Sequence, residues 1–308
     1  MLAGESEGDP AIDEAVRSGR PARVLEQLAA TGWSFLPAAD PGFPALLGVL
    51  ADPPLGLFVR GVLPDRPPVA VVGARHASAY GREVAEYLGR ELAAGGACVV
   101  SGMARGVDGA AHRGALAAGG PTVAVWGAGP DRVYPREHAA LAEEIAAAGA
   151  LVTEYPPGSP PLAAHFPERN RLIAGLAKVV VVVEADERSG ALVTARLALD
   201  EGRDVMAVPG SVFSRMSAGP NGLLRAGAAP VLSAADVLGV LGLAAAQRGD
   251  AEPEFLRQLP AGTSATVDEL AAHSGLPVAR LLELLLELEL AGWLVRESDG
   301  RYRRSHAR

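Results

Sequence analysis

From Val69 to about Leu232, short apolar runs of β type alternate with longer segments of helical pattern, and that alternation confines the chain to one broad class of fold. The runs Val69–Val72, Ala97–Val100, Thr122–Trp126, Leu151–Tyr155, Lys178–Glu184, Asp204–Val208 and Ala229–Leu232 are read as strands. Helical patterns lie between them, near Gly81–Ala94, Asp108–Ala118, Arg136–Ala148, Pro167–Ala177, Ser189–Glu201 and Asn221–Ala226. The run of five valines from Val179 to Val183 is apolar at every position, as expected of a strand covered by helices on both faces. The expectation is an α/β fold built on a doubly wound, mostly parallel sheet.

The flanks read differently. Ala22–Ala30 has a helical pattern, and Pro41–Gly61 reads as a helical turn, a turn at Pro53-Pro54 and a short strand at Leu57–Val59. Residues 1–60 are therefore expected to be a short lead-in to a domain over 61–243. The small, polar residues 244–252 read as a linker. Beyond it, Phe255–Leu259, Val267–Ser274 and Val278–Gly292 read as three helices, followed by a ribbon turning at Asp299-Gly300. Three helices and a ribbon predict a small winged helix-turn-helix domain over 253–308.

Composition narrows the function. A formal net charge of −8 argues against coating duplex DNA through bulk charge, yet leaves room for a local basic groove. No uncharged apolar run reaches membrane-spanning length and the first ten residues are acidic and polar, so neither a span nor a secretory signal is expected and the cytoplasm is the default. The sole cysteine, Cys98, excludes an intramolecular disulfide and, set in an apolar run, reads as a buried thiol. The histidines lack metal-ligand spacing, so neither a metal nor another cofactor is expected.

In an open α/β sheet, ligands bind beyond the carboxyl ends of the strands, so the following loops carry the chemistry. In the first, Gly73-Ala74-Arg75 forms a turn and Ser78 stands as a helix N-cap, an arrangement that faces backbone N–H groups and a helix dipole toward an anion, with Arg75 as its charged arm. The second supplies Ser101, Gly102, Arg105, Gly106 and Asp108, the last as a helix N-cap, and its glycines let backbone amides approach a phosphate or sugar. In the third, Arg169, Asn170 and Arg171 crowd a helix start. Residues 169 and 171 do not share a helical face, so one is expected in a groove and the other as a brace. The fourth places Ser189 and Gly190 at another helix N-terminus. Four loops on one sheet edge, with arginines among them, point to a polyanion. No complete G-x-G-x-x-G fingerprint is present, which suits a run of phosphates better than one pyrophosphate.

These motifs resemble the DNA-processing protein A family, DprA or Smf. The family's G-S-R turn matches Gly73-Ala74-Arg75, and its S-G-x-A-x-G-[IV]-D motif matches Ser101 to Asp108. F-P-x-R-N-R-I-I-A-G-L matches Phe166 to Leu176, S-G-[ST]-L-x-T-A matches Ser189 to Ala195, and A-V-P-G matches Ala207 to Gly210. The resemblance implies an extended Rossmann-like domain without catalytic groups that binds single-stranded DNA, as a homodimer, and loads the RecA recombinase during natural transformation or homologous recombination. It assigns Arg75 to DNA phosphate, helped by a basic residue matched here to Lys178. Ala74 departs from the family's serine, residues before Gly42 are short for its usual N-terminal domain, and Glu283, Glu287 and Glu289 give the third winged-domain helix an acidity that favours protein contact over DNA reading.

Each residue also has a plain reading. Arg75 could form a structural salt bridge, Arg105 an ion pair to Asp108, Lys178 a solvated strand start and Asn170 a loop brace. Ser101, Asp108 and His112 suggest a hydrolase triad, which the motif context disfavours. A phosphoribohydrolase would need a P-G-G-x-G-T turn, which is absent. A winged-helix transcription regulator is weakened by the acidic helix. Tyr80, Tyr134, Phe166 and Phe213 are candidate base-stacking residues, Tyr134 reading more as packing. Val205–Leu224 is the expected apolar edge for a dimer.

Overall fold

The structure, a computed structural model, describes residues 20–244, 254–257, 264–290, 293–297 and 299–304. The chain divides into two compact units, residues 1–245 and 246–308. The first contains α1 (Arg20–Ala30), β1 (Trp33–Pro37), α2 (Ala45–Gly48), β2 (Gly56–Gly61), β3 (Pro68–Val72), α3 (Ala79–Ala94), β4 (Cys98–Ser101), α4 (Val107–Ala117) and β5 (Thr122–Val125). It continues through α5 (Ala139–Ala148), β6 (Ala150–Thr153), α6 (His165–Leu176), β7 (Val179–Val182), α7 (Gly190–Asp200), β8 (Asp204–Ala207), α8 (Ala218–Arg225), β9 (Ala229–Pro230) and α9 (Ala234–Val240).

The strands form one nine-stranded sheet in the order β1-β2-β6-β5-β4-β3-β7-β8-β9. Pairing is parallel from β6 to β9, whereas β2 joins β6 and β1 joins β2 antiparallel. The sheet is mostly parallel and doubly wound. The antiparallel edge has a local cause: WSFLP, which shows no clear alternation as sequence, finds its partner only when Leu57 and Phe58 pair back onto it. β8 is not an edge, because β9 covers it, so the stretch beginning at Val205 is interior at its start and Val205–Val208 are buried.

Period-two alternation splits the core into two layers. Val69, Val71, Val179 and Val181 pack against Leu88 and Leu92 of α3, Ala111 of α4 and Val237 of α9. Ala70, Val72, Val180 and Val182 face the other way, against Leu172 and Ile173 of α6 and Ala195 of α7. A third cluster joins Trp33, Phe58 and Trp126 to Leu141 and Ile145 of α5, with the two indoles edge-on at 5.4 Å between ring centroids. Cys98 of β4 lies in the layer that holds Ala70 and Val72, where burial pushes its thiol up to about 12.

The second unit contains α10 (Glu254–Arg257), β10 (Ser264–Ala265), α11 (Val267–Ser274), α12 (Val278–Leu290), β11 (Leu294–Arg296) and β12 (Tyr302–Arg304), with the strands ordered β10-β12-β11 in an antiparallel sheet. This is a winged-helix plan. A capping box between Thr266 and Glu269 starts α11, Gly275 at φ +67° ends it, and Leu256, Leu270, Leu281, Leu285 and Tyr302 form the core. The ribbon expected at Asp299-Gly300 is β11–β12; β10 and α9 have no counterpart in the sequence reading. The linker assigned to 244–252 lies, apart from residue 244, outside the described residues. Among the described residues, no helix is long and apolar enough to cross a membrane.

Leu172 is fully buried between α6 and the sheet. Leu172→Ala is expected to destabilise the α/β unit by about 3 kcal/mol, read from its urea midpoint with the m-value unchanged.

Candidate nucleic-acid interface

Neighbouring strands β3 and β7 feed helices on opposite faces of the sheet: the turn after β3 leads to α3, and the turn after β7 leads to α7. Such a divergence leaves a crevice at the carboxyl ends of the strands. A cleft of about 490 Å³ occupies it, with Gly73, Arg75, Phe166, Arg169, Ser189 and Gly190 in its walls. A second cavity of about 120 Å³ shares Arg75, Tyr134, Phe166 and Arg169 with the first and adds His76 and Arg105.

The turn that carries Arg75 is held from both sides. Ala74 N–H donates to the Glu184 carbonyl at 2.7 Å, and the Ala74 carbonyl accepts Val107 N–H at 3.3 Å. Gly106 permits that second contact: its φ is +74°, and a Cβ there would stand 2.2 Å from the Ala74 oxygen. Beyond this fixed point Arg75 is exposed, with its guanidinium carbon 4.7 Å from the Phe166 ring centroid. It forms no ion pair with any described residue. The salt-bridge alternative for Arg75 has no partner among the described residues.

Ser78 stands elsewhere than expected in chemical terms. It caps α3, its Oγ accepting Gly81 N–H at 3.0 Å, but its own N–H and hydroxyl donate to the Glu184 carboxylate at 2.8 and 2.6 Å. The anion place at the start of α3 is filled from within the chain. Sequence reasoning missed Glu184; the signal was an acid directly after a run of five valines.

Arg169 is only 4% exposed, and its Nη1 donates to the Gly102 carbonyl at 2.9 Å and to the Val125 carbonyl. It ties the ends of β4 and β5 to α6, and burial lowers its pKa to about 10. The division expected between residues 169 and 171 is thereby modified. Arg171 braces outright, donating to both Glu154 oxygens at 2.5 Å and to the Asp52 carbonyl at 3.0 Å, whereas Arg169 braces and lines the cleft together. Asn170 is a loop brace at the cleft wall, donating to the Gly190 carbonyl at 3.3 Å. Buried Gly102 packs on Arg169 and Asp108, and a Cβ there would lie 2.7 Å from Arg169 Nη2.

Asp108 lines the floor, accepting Ala104 N–H at 3.3 Å; burial raises its pKa against the opposing charge of Arg169. It lies within the first turn of α4, where Gly106 is the N-cap. Ser101 donates to the Val71 carbonyl at 2.7 Å. His112 meets Thr122 Oγ1 at 2.7 Å, and because that hydroxyl donates to the Val99 carbonyl, His112 must donate from Nδ1, leaving a buried Nε2 without a partner. Ser101 and His112 are thus committed to different neighbours, and no triad relay links them.

At the cleft's far wall Ser189 caps α7, its Oγ accepting Ala191 N–H at 3.3 Å, and Gly190 follows at the helix start. Arg105 is exposed beside the second cavity but pairs with Glu137, not with Asp108. Lys178 is not in the cleft. It precedes β7 and donates its N–H to the Pro68 carbonyl, so about 13 Å of strand separates it from the carboxyl edge. Among the aromatics, Phe166 lies under Arg75 and 5.4 Å from Tyr134, which stands half exposed on the cleft rim instead of packing inside. Tyr80 donates to the Pro209 carbonyl, and Phe213 is 95% exposed on the loop after β8, outside both cavities.

The fold and site define an open α/β protein with a cation-bearing crevice at its switch point and an appended winged helix. The chain belongs to the DNA recombination-mediator protein A family, whose model matches residues 34–242; the DprA winged helix domain matches 243–300. It is 41% identical over 285 residues to Protein Smf of Escherichia coli, covering 86% of this chain and 76% of that protein. DNA processing protein A of Streptococcus pneumoniae superposes with a TM-score of 0.69 at 38% identity, covering 75% of this chain and 82% of that one. DNA processing protein A of Helicobacter pylori, solved for its single-stranded DNA binding mode, has a TM-score of 0.62 at 33% identity and covers 68% and 95%.

Burial holds the His112 imidazole neutral, lowering its pKa from 6.5 to about 3. The unfolded chain therefore takes up a proton that the native state refuses, and stability falls as pH drops from 6.5 toward 3. Urea unfolding is expected to lose up to about 1.4 kcal/mol per pH unit from this group, and His112→Asn to flatten that slope whatever its effect at pH 7.

Proposed function

We propose that this protein binds single-stranded DNA along the carboxyl edge of its sheet and acts as a recombination mediator, passing the strand to RecA. The observation that carries the reading is Arg75: an exposed arginine that makes no salt bridge among the described residues, seated on an aromatic ring above a cleft. A phosphodiester over Arg75 would place a neighbouring base against Phe166 or Tyr134, since stacking needs only a π-face and carries no sequence choice. Ser189 and Gly190, at the start of α7, are offered as the next phosphate position. The backbone of Gly73, Ala74, Gly102 and Gly106 shapes the turns, and Asn170 and Arg169 hold the wall. The reading assigns binding, not catalysis, because Ser101 and His112 are bonded apart.

Family membership and the single-stranded DNA mode printed for the Helicobacter pylori protein support the ligand class. Recombination mediation is supported by the family's description, and RecA and a homodimer are partners that this proposal adds. In the winged domain, Glu283 and Glu287 are exposed beside exposed Leu282 and Leu286, a face better suited to protein than to phosphate.

Titration of oligo(dT) at several salt concentrations tests the reading. Arg75→Ala is expected to weaken binding roughly tenfold and to reduce the salt slope by about 0.7, as for one lost contact to a single strand. Phe166→Ala should lose about 1–3 kcal/mol, while Lys178→Ala keeps parent affinity. Absence of binding at low salt, or an unchanged slope for Arg75→Ala, contradicts the reading.

A further inference from the structure

Glu184 is 2% exposed, and the cleft chemistry above does not use it. Its carboxylate receives Ser78 N–H at 2.8 Å and the Ser78 hydroxyl at 2.6 Å. Gly81 makes the room: a Cβ there would lie 2.1 Å from Glu184 Oε2. The first turn of a 16-residue helix therefore holds an internal anion where such turns otherwise take a phosphate. The Tyr80 phenol beside it is raised above its ordinary value, by burial first and by the Glu184 charge second. Glu184 acts on the same turn a second time, because its carbonyl accepts Ala74 N–H at 2.7 Å. One residue grips the turn at Ala74 and at Ser78, and Arg75 stands between the two grips.

We infer that Glu184 is the positioning residue that presents Arg75 to a passing phosphodiester and closes the start of α3 to a free phosphate. A terminal phosphate or mononucleotide needs donors on several sides, and at this helix it meets a carboxylate instead. A continuous strand needs only the exposed arginine and the surface beyond it. The first half of the inference rests on the single-strand reading; the second half concerns the helix start alone.

Three readouts on the full chain test it, in the parent, Glu184→Gln and Glu184→Ala: oligo(dT) affinity, the Arg75 Nε–H resonance, expected to be shifted by the Phe166 ring 4.7 Å from the guanidinium carbon, and ³¹P line broadening of millimolar inorganic phosphate. Both variants are expected to move the Arg75 resonance toward that of free arginine and to weaken oligo(dT) binding about tenfold. Glu184→Ala is further expected to gain saturable phosphate binding that the parent lacks, a gain that loss of fold cannot produce. If Glu184→Ala does not fold, Glu184→Gln, which keeps the side-chain length, decides through the Arg75 resonance. Folded variants with the parent's Arg75 resonance and no phosphate binding overturn the inference. A parent that ignores oligo(dT) overturns the single-strand reading, while the resonance and phosphate readouts still decide the role of Glu184.

Discussion

The hydrogen bonds from Ser78 and Ala74 to Glu184 join two neighbouring strand ends, and the geometry of the whole cleft follows from that junction. β3 and β7 are adjacent, and their loops diverge to opposite faces of the sheet. Without that tie the turn at Gly73 would lose its hydrogen bonds to the end of β7 and keep the one to Val107. With the tie, Arg75 is carried on a rigid corner over Phe166, while the α7 start with Ser189 and Gly190 faces it across the crevice. A preorganised cation loses little freedom when a phosphate arrives.

Charge in the cleft is arranged by depth. Arg169 and Asp108 are both buried in its floor, where desolvation opposes their ionisation and each supports the other's charge. Two carbonyls, of Gly102 and Val125, absorb the Arg169 guanidinium, so its role is to set the shape of the floor. Arg105 is neutralised by Glu137 at the rim. The exposed positive charge that remains is local, which makes a net charge of −8 compatible with the proposed phosphate-binding edge. On the proposed reading, so few exposed cations give the aromatic surface of Phe166 and Tyr134 correspondingly more weight.

Strands with unbroken apolar runs and helices with amphipathic spacing were legible in the sequence, and so was the sheet edge at which most of the loops singled out there meet. Val179–Val183 read as an interior strand, and the turn at Gly73-Ala74-Arg75 read as the end of one, as the pairing of β3 with β7 bears out. What sequence left open was the partner of each polar group, because that depends on loops brought together from distant positions. Ser78 reads as a phosphate donor until Glu184, 106 residues away, is placed beside it. Arg169 reads as a groove residue until the carbonyls of two other strands reach it. Lys178 entered by analogy and stands at the amino end of β7, away from the carboxyl edge where the cleft lies. β1 escaped because its alternation is weak and its pairing partner lies some twenty residues on.

The central claim is that a single strand lies across Arg75 and Phe166. Ultraviolet crosslinking of oligo(dT) to the full chain, with the adducts mapped by mass spectrometry, addresses it most directly. The account predicts adducts on Phe166 and Tyr134, at the two cavities that share Arg75. Adducts confined to the winged-helix unit, or to the amino edge of the sheet around Lys178, would contradict it.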